Sequence, residues 1–532
     1  MGRQRSTERS VSHCEYLVVG GGTAGCIVAA RLSEDPDVRV TLIEPGPSDA
    51  NEPRALDIRR WPEMVESEYD LDYRSIAQQR GNSNIRQARM RILGGCSTAN
   101  TMISWRPLAA DLQEWAALGV EGWDPETVDA CFDRLATPIV PIPAKDQNPY
   151  VADVVTAAIR ALDLPARSNW NSDADFARTG VGAGFFEIGY TPETHLRSST
   201  SVHYLHDVIH VRDNLTVRHG LRAVRILLED GAAVGVLAVD DAGTEHEVRA
   251  SREVIVCCGA IDSPKLLQLS GIGPGEVLAA AGVPIVVDSP GVGENLMDHA
   301  EGLIVWEARR EVPDTCATGW DAGAAVRLRP DGPARPDVLM HFPVEAVADH
   351  AVTYGVELPD RIVALAPNVA KPASRGRVWI TTADPDVPPS IDYGYFTDAD
   401  GTDEATLIAG IRLARRIAAT APMSEWVGAE VFPGADLNTD EELSPALRAT
   451  HQTVYHVSGT CRMGAPEDQL AVCDSRLRVR GVDGLRVVDA SILPTIPSVN
   501  PVGTIMAVAE RASDLIAQDN GATASIDTHS LP

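Results

Sequence analysis

The sequence has little of what marks membrane-spanning, secreted or nucleic-acid-binding proteins. No apolar run approaches the roughly 20 residues that a membrane-spanning helix needs, and the opening MGRQRSTERSVSHCEY is polar and basic, without the apolar stretch of a secretory signal. Lys and Arg number 46 against 75 Asp and Glu, and a net charge of −29 would repel a phosphate backbone. We therefore expect a soluble, cytoplasmic protein with no membrane span and no nucleic acid partner.

Cysteine is present, but without the spacing of a metal or redox site. The nine cysteines are scattered, odd in number and never arranged as CxxC. We interpret most of them as buried thiols in a reducing compartment and expect no metal. Hydrophobic residues make up 44% and charged residues 23%, as is typical of a folded globular protein. A length of 532 residues exceeds what one hydrophobic core supports, which favours two interleaved domains.

A glycine-rich turn near the N-terminus lies between two strand-like runs. Glu15–Val19 and Val38–Ile43 predict buried strands, and Cys26–Leu32 predicts the helix between them. The turn satisfies G-x-G-x-x-G and is followed by an acidic residue, Glu44, at the end of the second strand; it reads Gly20-Gly21-Gly22-Thr23-Ala24-Gly25. Such glycines let the backbone approach a pyrophosphate, and a carboxylate there accepts hydrogen bonds from a ribose. The unit predicts a dinucleotide site without separating NAD from FAD.

Later runs predict that the dinucleotide domain is assembled from distant pieces of chain. Apolar runs and turns between Asn214 and Gly259 favour a β-meander, Val254–Val256 and Leu485–Val488 predict buried strands, and a helix is expected from about Thr504 to Ile516. The predicted fold class is α/β: a discontinuous Rossmann-like domain with a second α+β domain, an antiparallel sheet covered by helices. The predicted boundaries assign 1–152, 205–302 and 430–518 to the dinucleotide domain and active site, 153–204 and 303–429 to the substrate domain, and 519–532 to a frayed tail.

Three further segments resemble the signatures of the glucose-methanol-choline (GMC) oxidoreductases. RILGGCSTAN, at Arg91–Asn100, resembles the first signature, and GAIDSPKLLQLSGIG, at Gly259–Gly273, resembles the second. The third is Tyr455-His456 together with Asn500-Pro501. These segments follow the family's order along nearly the whole chain. Within the family the similarity is greatest to choline oxidases, through further matches at Arg60-Trp61, Asp298–Glu301, Arg335–Asp337 with His341, and Thr453–His456.

The resemblance implies FAD as the cofactor and oxidation of a primary alcohol as the activity. It assigns the ADP half of FAD to the glycine-rich turn and Glu44, and the flavin to a segment at 88–101 and to parts of the later chain. The cofactor-binding residues implied there are Gly95, Cys96, Ser97, Thr98, Asn100, Ala223, Asp489, Ala490 and Pro501. Choline oxidases bond the flavin covalently to a histidine whose place is taken here by Ala99. We therefore expect FAD to bind non-covalently.

Catalytic and substrate-binding roles follow from the same resemblance. A neutral imidazole accepts a proton near neutral pH, and the resemblance assigns this role to His456, with Asn500 orienting the substrate oxygen while a hydride passes to flavin N5. Taken alone, His456 is typical of a core histidine and Asn500 of a turn before proline. Aromatic and acidic matches to an ammonium-binding cage imply a cationic substrate, with a quaternary ammonium or an amine. The implied substrate-binding residues are Trp61, Thr101, Glu301, Trp320, His341, Val454 and Tyr455.

Alternatives stay open for the substrate and the reaction. The segment between Leu135 and Tyr150 lacks an HGxxGP loop usual in the family. This favours either a wider pocket that admits an amino sugar or aminoglycoside, or an ordinary change of loop length. Relatives with this fold include hydroxynitrile lyases, so a non-redox reaction is a further alternative. The sequence does not distinguish O2 from another electron acceptor, an oxidase from a dehydrogenase, one oxidation step from two, or a homodimer from another assembly.

Overall fold

A mixed seven-stranded sheet carries the glycine-rich turn. The computed structural model describes residues 10–82, 85–345 and 348–521, so the end of the predicted frayed tail, 522–532, lies outside the described residues. The strands are β1 (Ser10–Val19), β2 (Val40–Glu44), β3 (Leu215–His219), β4 (Leu221–Glu229), β5 (Ala232–Asp240), β6 (Glu245–Val256) and β7 (Leu485–Val487). They lie in the order β3-β2-β1-β6-β5-β4, with β7 paired to β6.

Strand direction in this sheet agrees with the sequence pattern. β3, β2, β1, β6 and β7 run parallel, whereas β4, β5 and β6 form an antiparallel meander. Every residue of β2 is buried, as expected of a parallel strand covered on both faces. Helix α1 (Thr23–Leu32) contacts β1, β2 and the C-terminal helix Val502–Asp519. The predicted meander and the two later parallel strands are confirmed.

Element boundaries differ from the prediction where tertiary contacts set them. α1 begins at Thr23 instead of Cys26, so Gly25 lies in its first turn, where a Cβ would come within 1.9 Å of the carbonyl oxygen of Gly20. β1 begins at Ser10 because its polar first half pairs in register with β6. The C-terminal helix begins at Val502, directly after Pro501.

The other half of the molecule is built on a second, nine-stranded sheet. Neighbouring strands run antiparallel except for the first two in chain order. Helices Pro149–Leu162 and Thr402–Ala418 pack on this sheet and on each other, which agrees with the predicted α+β arrangement. From one edge the strands are Val427–Phe432, Ile304–Ala308, Ile362–Val369, Val338–His341, Ala322–Val326, Gly182–Phe185 and Ala166–Arg167, with the short pair Ala300–Glu301 and Gln452–Thr453 at the side of Ile362–Val369.

The chain passes between the two sheets several times, as interleaved domains require. The short strands Ala300–Glu301 and Gln452–Thr453 belong to the second sheet although both fall within segments predicted for the dinucleotide domain; the domain boundaries themselves stay a prediction. Within the described ranges, no helix is long and apolar enough to cross a membrane. Other helices are Pro53–Leu56, Ala109–Ala117, Pro125–Asp133, Ala174–Thr179, Thr200–Tyr204, Gly259–Leu269, Gly275–Ala281, Asp349–Thr353 and Asp440–Thr450, with 3-10 turns at Ile58–Glu63 and Gly95–Thr98.

Candidate active site

A cavity of about 1010 Å³ extends from the carboxyl ends of β1 and β2 to the second sheet. Ligands of open α/β sheets bind at this edge. The structure brings most of the predicted site residues into its wall: Gly20, Gly22, Thr23, Ala24, Glu44, Trp61, Gly95, Cys96, Asn100, Thr101, Ala223, Glu301, Trp320, His341, Val454, Tyr455, His456, Asp489, Ala490, Asn500 and Pro501. Gly25, Ser97 and Thr98 do not line it. The hydroxyls of Ser97 and Thr98 instead donate to the carbonyl oxygens of Gly94 and Gly95, each at 2.7 Å.

The end of the cavity near β2 has the features of an adenosine and pyrophosphate site. The carboxylate of Glu44 accepts hydrogen bonds from the backbone N–H groups of Gly21, at 2.8 Å, and Gly46, at 2.9 Å. Burial raises the pKa of Glu44 to about 7. A Cβ at Gly22 would meet no atom closer than 3.9 Å, so a side chain there would occupy the cavity itself. Since the first turn of α1 has no side-chain cap, its N–H groups are left for a ligand.

The first signature forms a backbone platform against the glycine-rich turn. Gly94 and Gly95 have φ values of +91° and +53°, and a Cβ at Gly95 would lie 2.7 Å from Cα of Gly22. Only glycine permits this contact between the two segments. Ala99 is 8% exposed and packs with Met64 and Met90. The residues present therefore fit an FAD, and the methyl group of Ala99 offers it no atom for a covalent bond.

His456, in the cavity wall, contacts a second histidine, His299, which is fully buried behind it. Nδ1 of His456 lies 2.9 Å from Nδ1 of His299, and Nε2 of His299 lies 3.1 Å from the carbonyl oxygen of Pro497. Burial lowers the pKa of His299 to about 3, and burial with the neighbouring His299 holds the pKa of His456 well below its usual range. Both rings are therefore neutral at pH 7.

The hydrogen-bond partners fix the tautomer of each ring. Because a carbonyl only accepts, Nε2 of His299 carries its proton and donates to Pro497, which leaves Nδ1 of His299 as an acceptor. His456 must then donate from Nδ1, so its Nε2 bears a lone pair. Nδ2 of Asn500 lies 3.5 Å from this Nε2, and Oδ1 of Asn500 accepts from the indole N–H of Trp105 at 3.0 Å, which fixes the orientation of the amide.

A strained turn presents Tyr455 and His456. Tyr455 has φ +64°, a conformation that costs a non-glycine residue about 1–3 kcal/mol. Its N–H donates to the hydroxyl of Thr453 at 2.7 Å, and its carbonyl accepts from Arg89 at 2.9 Å. The buried carboxylate of Asp298 accepts from the N–H of His456 at 2.8 Å and also binds the hydroxyl of Thr453. These contacts hold the turn in place.

Glu301 places a buried carboxyl group on the side of the second sheet. It is 2% exposed, and its carboxylate lies 3.1 Å from Nδ1 of His341. Burial raises its pKa. No Arg or Lys forms an ion pair with it among the residues that the structure describes. A positively charged group placed beside this carboxyl would favour its ionised form.

Two tryptophans of the predicted cage are joined through one residue. The indole N–H of Trp61 donates to the carbonyl of Thr318 at 2.9 Å, and the backbone N–H of Trp320 donates to the hydroxyl of Thr318 at 3.1 Å. The ring of Trp320 stands edge-on to that of His341, with 5.8 Å between centroids. Trp320 therefore lies beside His341, the residue that contacts Glu301.

Several residues of the site were missed by sequence reasoning. His299 and Asp298 stand in a segment that matched choline oxidases, but the match gave them no role. Trp105 and Arg89 act through contacts across 395 and 366 residues of chain. No local pattern carries such contacts.

Comparisons with known proteins point to one family. Family models described as GMC oxidoreductase match residues 14–301 and 372–509. The chain is 42% identical to a choline oxidase from Arthrobacter globiformis over 94% of each chain. It is 33% identical to an oxygen-dependent choline dehydrogenase from Photobacterium profundum, over 94% of this chain and 92% of that one.

Solved structures show the same fold. A crystal structure of pyridoxine 4-oxidase from Mesorbium loti superposes with a TM-score of 0.86 at 30% identity, over 94% of this chain and 98% of that chain. The glycine-rich turn, the platform and the histidine pair thus occur in a chain that resembles these enzymes over almost its full length. The chain belongs to the GMC oxidoreductase family and is an FAD-dependent alcohol oxidase or dehydrogenase.

Proposed function

We propose that this enzyme oxidises a primary alcohol that carries a positive charge, with choline as the simplest candidate. The observation that carries the proposal is Glu301, a buried carboxylate in the cavity wall with histidine as its only ionisable partner among the described ion pairs. Trp61, Trp320 and Tyr455 line the same cavity, and aromatic faces attract cations by about 0.5–2 kcal/mol per contact. The two choline-oxidising relatives support this substrate class.

The chemistry divides between the bound cofactor and the protein. FAD, held by the glycine-rich turn and the Gly94-Gly95 platform, supplies the acceptor for a hydride. Nε2 of His456 takes the hydroxyl proton, since the tautomer derived above leaves it unprotonated. Asn500 donates its amide hydrogen toward the substrate oxygen and keeps the oxygen near His456. Glu301 and the aromatic residues hold the cationic end.

We also propose that the FAD is not covalently attached. Ala99 stands where choline oxidases carry the tethering histidine, and alanine cannot form that bond. Retention must then come from non-covalent contacts along the cavity. The carboxylate of Glu44 is well suited to hold a ribose, and the uncapped N–H groups of α1 to hold a pyrophosphate.

The segment that lacks the HGxxGP loop lies outside the cavity wall. Between Leu135 and Tyr150 no residue lines the cavity, and the segment instead contains a short strand paired with Glu187–Ile188. A missing lid would likewise leave no lining residue here, so an amino sugar or aminoglycoside stays an alternative substrate. We propose O2 as the electron acceptor, because the similar proteins include a choline oxidase and an oxygen-dependent choline dehydrogenase. A reducing, cytoplasmic setting is proposed from nine unpaired cysteines; a homodimer stays a prediction.

Anaerobic addition of choline tests the proposed reaction. Hydride transfer without an oxidant should bleach the oxidised flavin absorbance, because the cofactor keeps the electrons. Product formation with an unbleached flavin would instead support the lyase alternative. Bleaching by neutral alcohols alone would contradict the cationic substrate.

A further inference from the structure

A loop from the C-terminal half of the chain reaches the adenosine end of the cavity. Strands Gly376–Trp379 and Ser390–Asp392 form an antiparallel hairpin, and residues 382–388 lie at its tip. Pro385, Asp386 and Pro388 of this tip line the cavity.

The tip lies at the same end of the cavity as Glu44, the carboxylate proposed to bind the ribose. β4 begins at Leu221, directly after Gly220, whose N–H donates to the carbonyl of Gly46. Gly46 in turn donates to Glu44 at 2.9 Å. Residues 221–223 at the start of β4 therefore lie at the adenosine end, and they line the cavity together with the tip.

Two cationic side chains hold the tip against the dinucleotide domain. The carbonyl of Pro385 accepts from the guanidinium of Arg222 at 3.0 Å and from Nζ of Lys265 at 2.9 Å. Arg222 also forms an ion pair with Asp386. Lys265 is 9% exposed, and no carboxylate forms an ion pair with it in the described part of the chain. A carbonyl bound by two cations is an unusually firm contact for an exposed loop.

The base of the hairpin is anchored separately from its tip. The buried side chain of Gln268 accepts from the N–H of Ile380 at 2.9 Å and donates to the carbonyl of Val378 at 3.2 Å. Within the tip, Asp384 accepts from the N–H of Asp386 at 2.9 Å. The hairpin thus has a fixed base, and Arg222 and Lys265 are the contacts that hold its tip over the cavity.

We propose that residues 382–388 are a latch over the adenosine half of FAD, which Arg222 and Lys265 hold closed. The inference rests on the non-covalent FAD binding proposed above. Without a covalent bond at Ala99, the cofactor leaves only when the cavity opens, and the latch covers the end at which the adenosine lies. Arg222 and Lys265 thereby set the rate of FAD release.

The test measures FAD release directly. The holoenzyme is diluted, and the fluorescence of released FAD is followed in the wild type, Arg222→Met and the double variant Arg222→Met/Lys265→Met. Because the double variant loses both charge-assisted hydrogen bonds to the carbonyl of Pro385, we expect it to release FAD at least about tenfold faster. Arg225→Met, an exposed arginine on the same strand that does not line the cavity, should release FAD at the wild-type rate.

Two further measurements distinguish a failure of the latch from a failure of the proposed non-covalent FAD binding. Acid precipitation of the wild type should release the flavin into the supernatant; a flavin that stays in the pellet would overturn non-covalent binding and the latch with it. Salt should accelerate release from the wild type more than from Arg222→Met, since the Arg222–Asp386 pair is exposed to solvent. An unchanged release rate in folded Arg222→Met, with an equal salt dependence, would overturn the latch alone.

Discussion

Nε2 of His456 is unprotonated because two hydrogen bonds fix the tautomers of His299 and His456. The carbonyl of Pro497 fixes the proton of His299, and His299 fixes that of His456. The sequence resemblance identifies His456 and Asn500, since both lie in family signatures. It gives His299 no role, because a tautomer depends on contacts between residues 157 and 198 positions apart in the chain.

Replacing the imidazole should remove the proton acceptor while leaving the cofactor bound. His456→Gln should lower the rate of anaerobic flavin reduction by about 10²–10⁴-fold, the usual contribution of a general base. His210→Gln, at an exposed position outside the cavity lining, serves as the matched control. The FAD content of both variants is measured first. Wild-type reduction rates in His456→Gln would show that another group accepts the proton.

At the scale of elements, local periodicity predicts the β1–α1–β2 unit but not the turn at residues 453–456. The strands and the helix have apolar patterns that any such unit shares. Tyr455 adopts φ +64° although it is not glycine. Its N–H donates to Thr453 within the turn, its carbonyl accepts from Arg89 of another segment, and Asp298, also from another segment, accepts from the hydroxyl of Thr453. Such a conformation is set by tertiary contacts and leaves no trace in the local sequence.

Asp298 holds the turn at residues 453–456 in place. Burial raises its pKa to about 6, and its carboxylate accepts hydrogen bonds from the N–H of His456 and the hydroxyl of Tyr395. In Asp298→Asn an amide N–H replaces one acceptor, so we expect kcat to fall more than KM changes, with FAD retained. Tyr395→Phe, which removes one donor and keeps the carboxylate, should have a smaller effect. Steady-state kinetics of both variants check this, and an unaltered kcat in Asp298→Asn would refute the positioning role.

On the scale of the whole molecule, the substrate end of the cavity is assembled from distant segments. Trp61 comes from the first part of the chain, Glu301 and Trp320 from the middle, and Tyr455 from the last part. The family resemblance anticipates their meeting, whereas composition and periodicity do not. The hairpin at 376–392 reaches the dinucleotide domain in the same way, and no pattern in its sequence predicts that contact.

The most direct test of a cationic substrate compares choline with its neutral isostere, 3,3-dimethylbutan-1-ol, in the wild type and in Glu301→Gln. Steady-state oxidation gives kcat/KM for each pair, with Glu307→Gln, an exposed glutamate on a strand of the second sheet, as the control. The account predicts that the wild type prefers choline and that Glu301→Gln loses about 10–100-fold in kcat/KM for choline, with little change for the isostere. Equal losses for both alcohols, or a wild type that prefers the neutral one, would contradict it.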